Sequence, residues 1–297
     1  MENHSKSVLL IANPRAGKLK LKGYLSLISN IFISRGYDVT TRMTRWRRDA
    51  SDIARNYAAK HDLVVCCGGD GTLNEMVSGM MQREDHVPMG YIPLGSTNDF
   101  AASLHLPSHV EEAALRCVEG TAFHMDVGSL NDRYFNYIAA FGAFTEASYA
   151  TPQQIKNALG HLAYILEGIK SLGRLQPIHV RITADGETFE EDYLFGAVTN
   201  TVSLGGVLRL DPSRVLLDDG MYELLLVKNP QNPTEAQAML SALMLQNYDG
   251  PLVRMLRASD ILFESNHEIS WTIDGEFGGS FSTTHILNNK NAVTLMV

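Results

Sequence analysis

Cysteine is scarce in this chain: there are three among 297 residues, the adjacent Cys66 and Cys67 and the isolated Cys117. An odd count without metal-ligand spacing gives no disulfide framework and no thiolate metal site, and fits a reducing cytoplasm. Long apolar runs are also missing. No stretch approaches the roughly 18 uninterrupted apolar residues that read as a spanning helix. The first apolar run, residues 8–12, is too short for a signal-peptide core. There is no low-complexity tract and no internal repeat, and positive charge is in deficit, with 25 Lys and Arg against 33 Asp and Glu. The charge is unevenly placed, however. Residues 1–48 hold Lys6, Arg15, Lys18, Lys20, Lys22, Arg35, Arg42, Arg45, Arg47 and Arg48 against only Glu2 and Asp38. Such a cluster suits an anionic surface or a nucleotide-phosphate field, each well-placed base contributing about 1 kcal/mol near an anionic membrane.

What is present is a globular composition, 45% apolar, long enough for two domains. Up to about residue 124 strand and helix patterns alternate: strands at 7–12, 38–44, 62–67 and 89–93, helices near 20–34, 50–59, 72–81 and 110–119. That alternation predicts βαβ crossovers and a mainly parallel sheet. Past residue 125 the pattern becomes strand-rich. Segments 179–183 and 188–193 read as a hairpin through Asp185-Gly186, followed by strands at 194–199, 222–227, 260–264, 268–273 and 292–297. The fold class is therefore an α/β N-terminal domain followed by an antiparallel one. Two amphipathic helices interrupt the second half, at 151–175 and 233–246, and both read as sheet-covering elements.

Three glycine-bearing turns end predicted parallel strands, the edge where open α/β sheets bind ligands. The first is Asn13-Pro14-Arg15-Ala16-Gly17-Lys18. The second, Gly68-Gly69-Asp70-Gly71-Thr72-Leu73-Asn74-Glu75, lets bare N–H groups approach a phosphate, with Thr72 as helix N-cap and Asp70 placed to hold Mg2+ or to orient that phosphate. The third is Pro93-Leu94-Gly95-Ser96-Thr97-Asn98-Asp99. Two acidic segments follow, Leu216-Leu217-Asp218-Asp219-Gly220-Met221 and Asp274-Gly275-Glu276.

In this order the motifs resemble the diacylglycerol kinase catalytic-domain family, related to sphingosine and ceramide kinases. The resemblance spans nearly the whole chain. It implies a nucleotide-binding domain at 1–124, with strand 284–297 returning to it, and a β-sandwich at 125–283, the active site lying in the cleft between them. It implies ATP and Mg2+, with nucleotide contacts at Asn13 to Gly17, at Thr44, at Gly69 to Glu75 and at Ser96. Ser96 stands where the family commonly has Thr. Glu276 is the implied general base and Asp274 its partner or metal anchor. Asp219, with the carbonyls of Leu216 and Met221, is the implied holder of a structural Mg2+.

The expected reaction is phosphorylation of a membrane lipid hydroxyl, diacylglycerol by default. A phosphatidylglycerol or sphingoid-base kinase, a soluble-substrate kinase of the NAD kinase type, and a nucleotide-binding regulator without catalysis stand as alternatives. The expected setting is the cytoplasm, peripheral at the inner membrane surface, with no nucleic-acid partner and room for a homodimer.

Overall fold

The computed structural model describes residues 5–16, 21–85, 87–95, 98–143, 176–201, 203–204, 208–210 and 215–297. Gly17, Ser96 and the expected helix at 151–175 lie outside them. The chain divides into two compact units, residues 1–127 with 291–297, and residues 128–290.

In the first unit, β1 (Lys6–Ala12), β2 (Tyr37–Met43), β3 (Leu63–Gly68) and β4 (Met89–Pro93) are joined by α1 (Leu21–Ser34), α2 (Asp49–Tyr57) and α3 (Asp70–Met80). β1 pairs in parallel with both β2 and β3, and β3 pairs in parallel with β4. Every residue of β3 and β4 is buried. Strands covered on both faces carry continuous apolar runs rather than alternation, which is how LVVCCG reads. All three cysteines are buried thiols. Loss of water pushes the Cys117 thiol up to about 12, so it is unreactive at neutral pH. α4 (Asp99–Ser103) and α5 (Val110–Glu119) follow, and Ala113, Ala114 and Cys117 of α5 join Val8, Leu10, Val65 and Phe32 in one core.

In the second unit the described strands are β6 (Arg133–Phe135), β7 (Ile138–Gly142), β8 (Ile178–Ala184), β9 (Glu187–Thr199), the two-residue β10 (Ser203–Leu204) and β11 (Leu208–Arg209), β12 (Tyr222–Lys228), β13 (Val253–Ala258) and β14 (Asp260–Ile273). Two further strands, β5 (Ala122–Leu130) and β15 (Glu276–Met296), contribute residues to both units. Pairing among the described residues of the second unit is antiparallel, including β8 with β9, β7 with β9 and β14 with β15. Trp271, fully buried, stacks edgewise on Phe141 and Phe263 at 5.0 and 4.9 Å, at the centre of the core.

Three expectations change here. The separate strands expected at 260–264 and 268–273 are one strand, β14, whose register shifts between Glu264 and Ile269. The polar stretch Ser265-Asn266-His267-Glu268 is absorbed as an irregularity rather than a loop. The strands at 188–193 and 194–199 are likewise one, β9. Helix α6 (Pro233–Met244) is capped by Asn232, whose side chain accepts from the Glu235 N–H, and buries Met239 and Leu243. The helix expected to run to residue 246 ends at Met244, which is 74% exposed.

Candidate active site

The carboxyl ends of β1, β3 and β4 converge through hydrogen bonds that run between loops. Asn13 is the hub of the first loop. Its N–H donates to the Cys67 carbonyl at 3.0 Å, its Oδ1 accepts from the Arg15 N–H at 2.9 Å, and its Nδ2 donates to Thr72 Oγ1 at 2.9 Å. Thr44 joins the same edge, its N–H donating to the Ala12 carbonyl at 2.9 Å. Arg15 is exposed, Pro14 half-buried and Ala16 buried.

The second loop departs from expectation in its capping. Thr72 is not the N-cap: α3 begins at Asp70 with Gly69 as cap, and the first bond of the helix runs from the Leu73 N–H to the Gly69 carbonyl at 3.0 Å. Thr72 is therefore a buried third residue, used by Asn13. The first-turn N–H groups of Asp70, Gly71 and Thr72 precede that bond, so the positive end of the helix begins at the glycines themselves. Leu73 is buried in the core, so any ligand contact it makes is through its backbone. Glu75 caps the neighbouring helix, its carboxylate accepting from the Arg48 N–H at 2.7 Å and the Ala50 N–H at 3.4 Å. Asn74 is half-buried and Gly71 exposed.

The glycines also have a closer reason than phosphate access. A Cβ on Gly95 would lie 2.8 Å from the Gly69 Cα and 2.5 Å from Asn98 Oδ1, and one on Gly68 would lie 2.6 Å from the Thr72 Cβ. The loops after β3 and β4 touch backbone to backbone, and only glycine permits it. Asn98 braces the third loop from a left-handed conformation, φ 53°, accepting from the Gly95 N–H at 2.8 Å and donating to its carbonyl at 3.1 Å. The Tyr91 hydroxyl lies 3.4 Å from Asn98 Oδ1 and 3.5 Å from Asp70 Oδ1, and the Phe100 N–H donates to Asp70 at 3.4 Å. Asn98 and Tyr91 were not singled out from sequence as site residues. Asp126, also in the first unit, is fully buried and accepts from the Asn291 N–H at 2.8 Å.

Two family models cover this chain, the diacylglycerol kinase catalytic domain over residues 7–130 and the YegS C-terminal NAD kinase beta sandwich-like domain over residues 140–296. The diacylglycerol kinase of Bacillus subtilis is 33% identical over 276 residues, 92% of this chain and 91% of that one. The diacylglycerol kinase of Staphylococcus saprophyticus is 32% identical over 275 residues, 92% and 90% of the two chains. This chain belongs to the diacylglycerol kinase catalytic-domain family. A crystal structure from Bacillus anthracis, provisionally described as a diacylglycerol kinase, matches with TM-score 0.80 at 28% identity over 100% of this chain and 98% of that one.

The second unit carries the two acidic segments that the family resemblance singled out. Asp274 (φ 46°) and Gly275 (φ 79°) form a two-residue turn between Ile273 and Glu276, the left-handed pair that suits the twist of a hairpin. Asp274 is buried, and its carboxylate accepts from the N–H groups of Asn136, Tyr137 and Ile138 at 2.7, 3.0 and 3.2 Å. Its own N–H returns to the Ile138 carbonyl at 2.9 Å. This carboxylate holds the segment that leads into β7. Glu276, two residues on, is exposed.

In the other segment, Asp219 Oδ1 accepts from the Met221 N–H at 2.9 Å and Oδ2 pairs with the Arg257 guanidinium. Arg257 also lies 3.5 Å from Glu223, a buried carboxyl that loss of water pushes up to about 7 against the pull of Arg257. Leu216 is exposed and Met221 half-buried. Among the described residues no three His, Cys, Asp or Glu side chains gather as a metal cluster. The donors at this loop are nevertheless the hard oxygens Mg2+ takes, and the carboxylate already holds a cation. A Mg2+ bound there would exchange with Arg257.

Proposed function

We propose that this chain is an ATP-dependent lipid kinase, transferring the γ-phosphoryl group of ATP to the free hydroxyl of diacylglycerol to give phosphatidic acid and ADP. The observation that carries the proposal is the convergence of Asn13, Thr72, Asp70 and Asn98 around the α3 N-terminus, in a chain whose relatives are diacylglycerol kinases.

Phosphoryl transfer asks a protein mainly for positioning and charge neutralisation. The residues assigned to the nucleotide are Asn13 to Gly17, Thr44, Gly68 to Glu75 and Ser96. The first-turn N–H groups of α3 receive phosphate oxygens and Arg15 supplies an exposed cation, while Asn13, Tyr91 and Asn98 fix the loops that present those donors. Leu73 and Glu75 serve indirectly, one through packing and one by capping α2. Asp70 is the acid nearest those donors and the residue assigned to the catalytic Mg2+; that ion, when bound, neutralises phosphate charge.

Glu276 is the assigned general base. As the lipid hydroxyl attacks phosphorus and the bond to the β-phosphate oxygen breaks, the hydroxyl proton passes to the Glu276 carboxylate. Asp274 positions that turn through its three backbone bonds. Asp219, with the Leu216 and Met221 carbonyls, is the assigned structural Mg2+ loop.

No described helix is long and apolar enough to cross a membrane. The proposed setting is accordingly the cytoplasmic face of the inner membrane, where a peripheral enzyme meets its lipid. Incubation of purified protein with labelled ATP and mixed vesicles containing diacylglycerol, phosphatidylglycerol and a sphingoid base tests the substrate. Label in phosphatidic acid is expected. Label only in another lipid, or only in added NAD, would replace diacylglycerol with that acceptor.

A further inference from the structure

β2 pairs only with β1 among the described residues, and residues of β2 and α2 line a cavity of about 580 Å³. None of Asn13, Thr44, Gly69, Asp70 or Gly95 lines it. Three arginines do, Arg42, Arg45 and Arg55, against two acids, Asp49 and Asp52. The acids are committed. Asp49 accepts from the Arg45 N–H at 2.7 Å and pairs with its Nε at 3.3 Å, and Asp52 pairs with Arg55 at 2.6 Å. Arg42 is left over: no carboxylate pairs with it among the described residues, and its buried Nε has no hydrogen-bond partner. Its guanidinium is held flat, 3.4 Å above the Tyr57 ring, while Arg45 stacks 4.0 Å from the exposed Trp46.

A guanidinium with no carboxylate partner, fixed on an aromatic face, is preorganised for a planar, two-oxygen contact through its terminal nitrogens, and the oxyanion that matches its fork is phosphate. The two ion pairs cancel within the cavity, leaving one net positive charge at Arg42. We propose that this cavity is a second anion site, separate from the glycine loops, that takes a phosphate group through Arg42 with Arg45 and Arg55 at its rim. The phosphate belongs either to an anionic lipid headgroup or to a free phosphate compound, and the two sources share this chemistry.

The chain has a built-in reporter. Of its two tryptophans, Trp271 is fully buried in the second unit and Trp46 lines the cavity. Full-length protein is titrated with inorganic phosphate at constant ionic strength, and separately with phosphatidylglycerol–phosphatidylcholine vesicles or pure phosphatidylcholine vesicles, following tryptophan emission. A saturable change with phosphate or with the anionic vesicles, absent in Trp46→Phe, is expected. The vesicle arm alone responding identifies the headgroup as the source. Arg42→Gln should weaken binding at least about tenfold, the scale of one bidentate charged contact, and Arg42→Lys should recover only part of it.

Because Arg42 packs on Tyr57, Arg55→Gln at the exposed rim is the second variant, expected to weaken binding severalfold with an unchanged melting temperature. Equal binding by wild type and Arg42→Gln in folded protein would overturn the proposal. So would displacement of the bound anion by ATP at the concentration that saturates the nucleotide site, which would make this cavity part of that site. No saturable signal with either probe would also overturn it.

Discussion

The glycine-loop edge of the first unit and the acidic turn of the second solve the same problem by opposite means. At the loop edge, removal of side chains lets Gly69 and Gly95 meet, and short polar side chains lace the loops together. Backbone donors are thereby presented. In the acidic turn a side chain does the holding: Asp274 gathers three N–H groups from residues 136–138, and the exposed Glu276 is projected by a hairpin that cannot shift without breaking them. The lesson is that adjacent motif residues need not share a role. One carboxylate of the Asp-Gly-Glu turn is buried and structural in its contacts, and its neighbour, the proposed base, is exposed.

The largest effect should come from filling the glycine contact. In Gly95→Val a Cβ would sit 2.5 Å from Asn98 Oδ1 and 2.8 Å from the Gly69 Cα. ATP affinity measured by calorimetry should fall at least about 100-fold, roughly 2.7 kcal/mol. Gly23→Ala in α1, where a Cβ meets nothing within 4 Å, is the contrasting control. It should leave nucleotide binding unchanged and add up to about 1 kcal/mol of stability through helix propensity. Unaltered ATP affinity in a folded Gly95→Val protein would break the loop half of the comparison.

For the turn half, Asp274→Ala removes the acceptor of three N–H groups in a buried place, and urea denaturation should report a loss of about 2 to 4 kcal/mol. Asp219→Asn should cost less, about 1 kcal/mol, because Arg257 is 45% exposed and keeps Glu223 beside it. A loss at Asp219 as large as that at Asp274 would erase the distinction between a buried clamp and a half-exposed ion pair.

Much of the loop edge is legible in the sequence, since a strand ending in Gly68-Gly69 and restarting a helix is a local pattern. What was not legible is whatever depends on distant partners. Thr72 looks like a cap until Asn13, 59 residues away, is seen to use it. That Asp274 gathers backbone donors about 137 residues earlier is likewise invisible in the turn itself. Glu264 to Glu268 reads as a break because polarity marks loops, yet the β14 ladder passes through it with a register shift. Met244 follows the helical period, but the period does not say where α6 stops.

The smallest effect concerns an exposed part of the second unit. Side-chain hydrogen bonds to the Asp192 and Glu190 carboxylates hold the His179 imidazole above its usual pKa, and Arg181 holds Glu190 below the usual carboxylate range. A histidine raised on folding contributes its stability fully below its unfolded pKa, and that contribution is lost as pH rises through the folded value. The β8–β9 hairpin should therefore exchange its amide hydrogens slightly faster above that window, after correction for intrinsic rates. His179→Gln should flatten this dependence. An unchanged profile would show that the cluster is too screened to matter.

A paired measurement of turnover, nucleotide affinity and melting temperature in Glu276→Gln and Asp274→Asn separates the roles of the two carboxylates most directly. With Glu276 as the base, Glu276→Gln should melt like the parent and bind ATP normally, while turnover of diacylglycerol falls about 100- to 10,000-fold, the range for loss of a general base. Asp274→Asn should lose stability first, with turnover falling as the turn loosens. Near-native turnover in Glu276→Gln, with Asp274→Asn inactive though fully folded, would contradict that assignment and make Asp274 the base.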